Sequence, residues 1–135
     1  MLPKMNIEHV FKLKIYYEDT DAGGIVYYAN YLKFIERART ELIYDQLKIN
    51  HRELKKIHGV QIVVRTCNLK YHKSAKFEDE INVYTKIKKK SAVRLNLIQE
   101  IKRGKELLVY AEVELAVVDS KGEISKLSSS LLNRL

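Results

Sequence analysis

From His9 to Tyr17 the chain reads HVFKLKIYY, with Phe11, Leu13 and Ile15 on one side and Lys12 and Lys14 on the other. That period of two predicts a half-buried strand running to Glu18. EDTDAGG follows; its carboxylates, threonine and paired glycines let the chain turn sharply and bring its backbone close to another group. Beyond it, Tyr31, Phe34 or Ile35, Ala38, Leu42 and Ile43 recur every three or four positions, interleaved with Glu36, Arg37, Arg39 and Glu41. This predicts a long helix from about Tyr28 to Leu47. A shorter helix, capped by Asn50 and closed by Gly59, is expected over NHRELKKIHG.

From Val60 to about Val118 the pattern returns to alternation: VQIVVRTCNLKYH, INVYTKIK, AVRLNLIQEI and ELLVYAEVELAVV. Residues such as Ile81, Val83, Thr85 and Ile87 suit strands, and the short separators predict that successive strands pair as a four-strand antiparallel meander. KLSSSLLNRL reads as a frayed terminal helix. The expected fold is α+β, a curved antiparallel sheet covering one long helix. Its exposed strand edges suggest self-association by edge pairing.

At 135 residues the chain is expected to form a single domain, residues 1–135. Apolar residues make up 46% and charged residues 31%, with only 5 Gly and 1 Pro, which excludes a disordered or collagen-like chain. A lone cysteine, Cys67, cannot form an internal disulfide, and no Cys/His cluster has structural zinc spacing. Cys67 is expected to be a buried, inert strand thiol. MLPKMNIEHVFKLK lacks the apolar core of a signal peptide, and no run of apolar residues is long enough to span a bilayer. A reducing cytoplasm is the expected compartment.

The net charge is +8, and residues 65–105 account for all of it, with 12 basic against 4 acidic side chains. A local basic field suits phosphates or, equally, a solvated lysine-rich face. Only Tyr71, Phe77 and Tyr84 lie near it for base stacking, so nucleic acid is not the expected partner. His9, His51, His58 and His72 form no pair with metal-ligand spacing and are expected on the surface or in strands.

The segment with the most chemistry is Tyr17–Tyr31, YEDTDAGGIVYYANY. Asp21 precedes Ala22, Gly23 and Gly24, which lead toward the helix start. A helix head offers unpaired N–H groups to a carbonyl oxygen that is gaining negative charge, and a carboxylate upstream can face the same carbonyl. Such a pair suits acyl transfer. Capping and turn formation are the plainer uses of Asp19 and Asp21.

The string Tyr17-Glu18-Asp19-Thr20-Asp21-Ala22-Gly23-Gly24-Ile25-Val26-Tyr27, with Ala29-Asn30-Tyr31 and Glu36-Arg37-Ala38-Arg39, resembles hotdog-fold acyl-CoA thioesterases. The resemblance is to the 4-hydroxybenzoyl-CoA thioesterase family, in its Tol-Pal-associated bacterial branch. It implies a sheet wrapped around a central helix and hydrolysis of acyl-CoA to a carboxylic acid and CoA. Asp21 matches the family's catalytic aspartate, as nucleophile or general base, and the Tyr28 backbone N–H matches the donor to the thioester carbonyl. The Tol-Pal-associated branch usually has histidine at the position of Tyr28. Basic residues near the third strand bind the nucleotide in the family, which implies Lys88, Lys89, Lys90, Ser91 and Arg94 for the CoA phosphates. No metal or redox cofactor is implied. A homodimer or homotetramer is implied, with acyl carrier protein as an alternative donor, and a non-catalytic acyl-CoA or carrier-protein binder is the competing reading. Dehydration chemistry ranks lower, because the turn and helix head offer no histidine. Glu36 and Glu41, helix carboxylates of the kind other hotdog lineages use, are expected to pair with Arg37, Arg39 or a neighbouring chain.

Overall fold

The structure, a computed structural model, describes residues 8–135; the expectation about a leader falls largely on residues 1–7, outside this range. Five strands form one antiparallel sheet: β1 (His9–Lys14), β2 (Gln61–Tyr71), β3 (Glu80–Lys90), β4 (Arg94–Arg103) and β5 (Glu106–Val118). Three α-helices accompany it: α1 (Asn30–Leu47), α2 (His51–His58) and α3 (Ser129–Leu132).

The α1 sequence buries Tyr31, Phe34, Ile35, Ala38, Leu42, Ile43 and Leu47 along one side. Opposite them the sheet presents Ile81, Val83, Leu95, Leu97, Ile101, Val109, Ala111, Val113, Leu115 and Val117, all buried. Burying each large side chain contributes about 1.5–3 kcal/mol, so this helix–sheet seam supplies most of the hydrophobic stabilisation. One polar network crosses it. Gln99 donates to the Ile35 carbonyl (3.0 Å) and the Thr85 hydroxyl (2.9 Å), and accepts from Arg39 (3.1 Å). Burial lowers the affinity of the Arg39 guanidinium for its proton.

The shorter helix follows its sequence signals. Asn50 accepts from the Glu53 amide, the Glu53 carboxylate accepts from the Asn50 amide, and Gly59 ends the helix at φ 68°.

Several expectations are corrected. The first strand stops at Lys14, and Tyr17–Asp19 form a 3-10 turn closed by Asp19, whose carboxylate accepts from the Tyr16 amide at 2.9 Å. The long helix begins at Asn30, so Tyr28 lies in the turn before it. The strand order is β1-β3-β4-β5-β2: only β3, β4 and β5 form the meander, β1 occupies the other side of β3, and β2 pairs with β5. The β2–β3 connection spans residues 72–79, longer than a tight hairpin needs, and crosses the end of the sheet instead. Cys67 is exposed rather than buried, because β2 is an edge strand. The C-terminal segment is anchored rather than frayed. Leu127, Leu131 and Leu135 are buried, and Arg134 donates to the Leu47 carbonyl at 2.8 Å. Among the described residues no ion pair joins Arg39 to Glu36 or Glu41; Arg39 bonds to Gln99, and Glu36 accepts from Thr40 at 2.8 Å.

Candidate active site

Between β1 and α1 the chain makes a small hairpin. Thr20 bridges Val26, the Asp21 amide donates to the Ile25 carbonyl (2.9 Å), and the Gly24 amide donates to the Asp21 carbonyl (3.0 Å). The turn between them is Asp21-Ala22-Gly23-Gly24, and its two glycines differ. Gly24 sits at φ 82°, in the left-handed region that side chains avoid. At Gly23 an added Cβ would come within 3.2 Å of Asp21 Oδ1, the atom to which the Gly23 amide donates at 2.8 Å. The Gly23 amide thus holds one carboxylate oxygen, and a side chain at 23 would push that oxygen by a few tenths of an ångström. Asp21 Oδ2 has no hydrogen bond among the described residues, and the side chain is exposed.

Asp19 is different. It is only 8% exposed, its carboxylate is spent on the Tyr16 amide, and its carbonyl accepts from the Tyr27 amide (3.0 Å) and the Asn30 side chain (2.9 Å). It ties the hairpin to the head of α1. Tyr28 follows at the second position of a turn closed by the Asn30 amide on the Tyr27 carbonyl (2.8 Å). The Tyr28 N–H has no acceptor among the described residues.

Asp21 and Tyr28 line the same groove, of about 490 Å³, with Ile25, Val26, Tyr27, Tyr31, Tyr71, His72, Lys73 and Ser74. Its aromatic wall is a chain of ring contacts: Tyr27–Tyr28 at 4.9 Å, Tyr28–Tyr71 at 6.1 Å and Tyr31–Tyr71 at 5.8 Å between centroids. The Tyr71 hydroxyl donates to the Tyr28 carbonyl at 3.3 Å, and the Tyr31 hydroxyl accepts from the Ala75 amide at 2.9 Å. Burial pushes the Tyr31 and Tyr71 phenols up from their ordinary values, so both stay protonated at neutral pH. Neither is a base there; Tyr71 donates and Tyr31 accepts.

Sequence reasoning missed Tyr71, His72, Lys73 and Ser74. No local pattern links them to Asp21, because only the crossing of the β2–β3 connection brings them into the groove. His72 puts an imidazole in the same groove as a carboxylate, which the turn and helix head alone do not offer.

The predicted nucleotide set lies elsewhere and is split. Lys88 and Lys89 line a second groove of about 570 Å³, with Thr66, Asn68, Asn96, Ile98, Glu112 and Glu114. Lys90 instead donates to the Leu132 (3.2 Å) and Leu135 (2.6 Å) carbonyls and anchors α3. Ser91 accepts from the Val93 and Arg94 amides at 3.3 and 3.1 Å, and Arg94 lies 3.5 Å from Glu114. The two grooves share no lining residue. Among the described residues no group of three His, Cys, Asp or Glu could hold a metal ion.

Comparison with known proteins agrees with this architecture. The family model described as the thioesterase-like superfamily matches residues 16–135. The acyl-CoA thioesterase YbgC of Haemophilus influenzae is 38% identical over 109 residues, covering 81% of this chain and 79% of that protein. Among solved structures, a probable thioesterase from Bartonella henselae superposes with a TM-score of 0.86 at 31% identity, covering 90% of this chain and all 100% of that one. The DHNA-CoA thioesterase from Staphylococcus aureus superposes at 0.81 with 25% identity, over 89% of this chain and 80% of that one. With an open antiparallel sheet packed on α1 and a family match from Tyr16 to the last residue, the chain belongs to the thioesterase-like superfamily and has its hotdog fold.

Proposed function

We propose that the protein hydrolyses acyl-CoA thioesters to a carboxylic acid and free CoA, the whole chain acting as one domain. The observation that carries this reading is one groove lined by both Asp21, whose Oδ2 has no hydrogen bond among the described residues, and Tyr28, whose backbone N–H has no acceptor among them. The thioester carbonyl accepts from the Tyr28 N–H, and Asp21 attacks the carbonyl carbon or takes a proton from the water that does. Negative charge then collects on the carbonyl oxygen, where a fixed donor is worth roughly 3 to 4 kcal/mol. Collapse of the tetrahedral species breaks the C–S bond and expels the CoA thiolate. With Asp21 as base, its proton passes to the thiolate and the acid is already formed; with Asp21 as nucleophile, water then hydrolyses the resulting anhydride to the acid and restores the carboxylate. The acyl group lies against the tyrosine wall. The name of the H. influenzae relative supports the substrate class.

Lys88, Lys89 and the O–H of Ser91 are proposed to hold the CoA phosphates; Lys90 is already engaged by the Leu132 and Leu135 carbonyls. The likeness of the YbgC relatives supports the Tol-Pal-associated branch as its place in the family, and acyl carrier protein remains an alternative thioester donor. Among the described residues no helix is long and apolar enough to cross a membrane, and an exposed free Cys67 suits a reducing cytoplasm.

The assembly is proposed to be a homodimer, or a dimer of dimers, paired along β2. Among the described residues that strand pairs on one side only, and it exposes Val63 and Val64 at 41% and 48%. Both grooves border β2, so antiparallel pairing draws the grooves of two copies to one seam. Val64→Asp should shift the sedimentation coefficient to that of a monomer; an unchanged value places the interface elsewhere.

Release of free thiol from a panel of short, long and aromatic acyl-CoAs tests the function. Thiol release well above the uncatalysed rate with at least one member is the expected result. Binding of acyl-CoA without thiol release would make the protein a carrier instead.

A further inference from the structure

Residues 72–79 do more than wall the groove. The Val26 amide donates to the Ala75 carbonyl (2.9 Å), Ile25 bridges Lys76, and the Ala75 amide donates to the Tyr31 hydroxyl. At the other end the Ile15 amide donates to the Asp79 carbonyl and the Glu78 amide to the Ile15 carbonyl, each at 2.9 Å. The hairpin carrying Asp21 and the head of α1 therefore both rest on this segment. Glu78 holds φ 67°, a left-handed conformation that a glutamate keeps only where its neighbours enforce it.

Arg103, the last residue of β4, fastens the segment from outside. Its guanidinium donates to the Asp79 carboxylate (2.7 Å), the Ser74 carbonyl (3.3 Å) and the Glu106 carboxylate. Asp79 Oδ2 also accepts from the Lys76 amide (2.8 Å), and Glu106 accepts from Lys73 (2.8 Å). Arg103 and Glu106 face each other across a two-residue turn with Gly104 at φ 62°, so the guanidinium projects from a stiff hairpin. The hydrogen bonds to Glu106 and Asp79 raise the affinity of Arg103 for its proton, while Lys73 and then Arg103 lower that of Glu106. A planar fork of donors can hold a carbonyl and two carboxylates at once, which an ammonium group cannot do in the same geometry.

We propose that Arg103 is a positioning residue for the thioester chemistry: through Ser74 and Asp79 it fixes the segment that aligns the Asp21 hairpin with the Tyr28 amide. This rests on the reading of Asp21 and Tyr28 as the reacting pair. Arg103 itself lies outside the motif that pointed to them.

The test compares wild type, Arg103→Met, Arg103→Lys and Asp79→Asn, with and without Asp21→Asn, after circular dichroism has confirmed folding. Arg103→Met should lower kcat about tenfold with KM within about twofold, the signature of misplaced reacting groups rather than lost binding. Arg103→Lys should recover part of that loss. In the Asp21→Asn background the same change should cost nothing further, because the group it aligns is already disabled. Amide hydrogen exchange at Gly24 and Val26 should be about tenfold faster in Arg103→Met, following the loss of local protection.

A folded Arg103→Met with kcat within twofold of wild type, unchanged exchange at Val26, or a loss repeated in full beside Asp21→Asn would overturn the proposal. If Arg103→Met does not fold, Asp79→Asn faces the same outcomes, since it keeps an acceptor for Lys76 and loses only the charge. A wild type that releases no thiol overturns the catalytic function and the role of Arg103 in it. An active wild type with an indifferent Arg103 variant overturns the role alone.

Discussion

Two segments stand out by their residue types, the turn Asp21–Gly24 and the β3 end Lys88–Ser91, and the fold treats them in opposite ways. In the first, backbone bonds close the turn while one oxygen of Asp21 and, a few residues on, the N–H of Tyr28, the groups proposed for the chemistry, have no partner among the described residues. In the second, half of the groups are consumed. Lys90 caps the carbonyls of the C-terminal segment and Ser91 caps its own turn, leaving Lys88 and Lys89 on an open groove. A candidate residue is therefore better judged by what remains unbonded after folding than by its type.

The sharpest way to break that comparison is Tyr28→Pro. Tyr28 occupies the second position of a turn, where proline is favoured, so the change removes the N–H with little damage to the backbone. A loss of about a hundredfold or more in kcat is expected, far beyond that of Tyr28→Ala, which gives up the same ring contacts but keeps the N–H. A kcat within a few-fold of wild type would show that another donor polarises the carbonyl.

A smaller effect separates the lysines. Replacing Lys88 and Lys89 together by Met should raise KM for acyl-CoA several-fold at low salt with kcat unchanged, because the nucleotide interacts alike in ground and transition states. Lys90→Met should leave KM alone and lower the melting temperature, since its ammonium anchors the Leu132 and Leu135 carbonyls. Equal KM effects from both changes would erase the distinction between the lysines.

The smallest expected effect is that of Tyr28→Phe. The hydroxyl is lost while the backbone N–H and the ring contacts to Tyr27 and Tyr71 survive, so kcat should stay within a few-fold. A collapse in kcat with the fold intact would assign the chemistry to the phenol.

Local patterns carried much of the architecture. The three- and four-residue spacing from Tyr31 to Leu47, the Asn50 and Gly59 caps, and the alternation of Ile81, Val83 and Thr85 each depend on neighbours in sequence. Strand order does not. Nothing in VQIVVRTCNLKYH says that β3 is already flanked by β1 and β4, so the placement of β2 beside β5, and with it the exposure of Cys67, follows only from the whole sheet. The site divides the same way. Asp21, Gly23 and Tyr28, which the motif singles out, lie within one hairpin and one turn, whereas Tyr71 and His72 line the same groove only because the chain crosses there after β2, and Arg103 touches that crossing at Ser74.

The most direct test of the account is thiol release by Asp21→Asn and Asp19→Asn side by side, on the acyl-CoA that wild type hydrolyses best. Asparagine at 21 keeps an acceptor for the Gly23 amide but is neither a base nor a useful nucleophile. At 19 it keeps an acceptor for the Tyr16 amide, and the carbonyl that holds Asn30 is untouched. The account predicts that Asp21→Asn loses at least about a hundredfold in kcat while folded, and that Asp19→Asn keeps most activity and only lowers the melting temperature. Turnover by folded Asp21→Asn within a few-fold of wild type, or a larger loss in Asp19→Asn at equal folding, would contradict it.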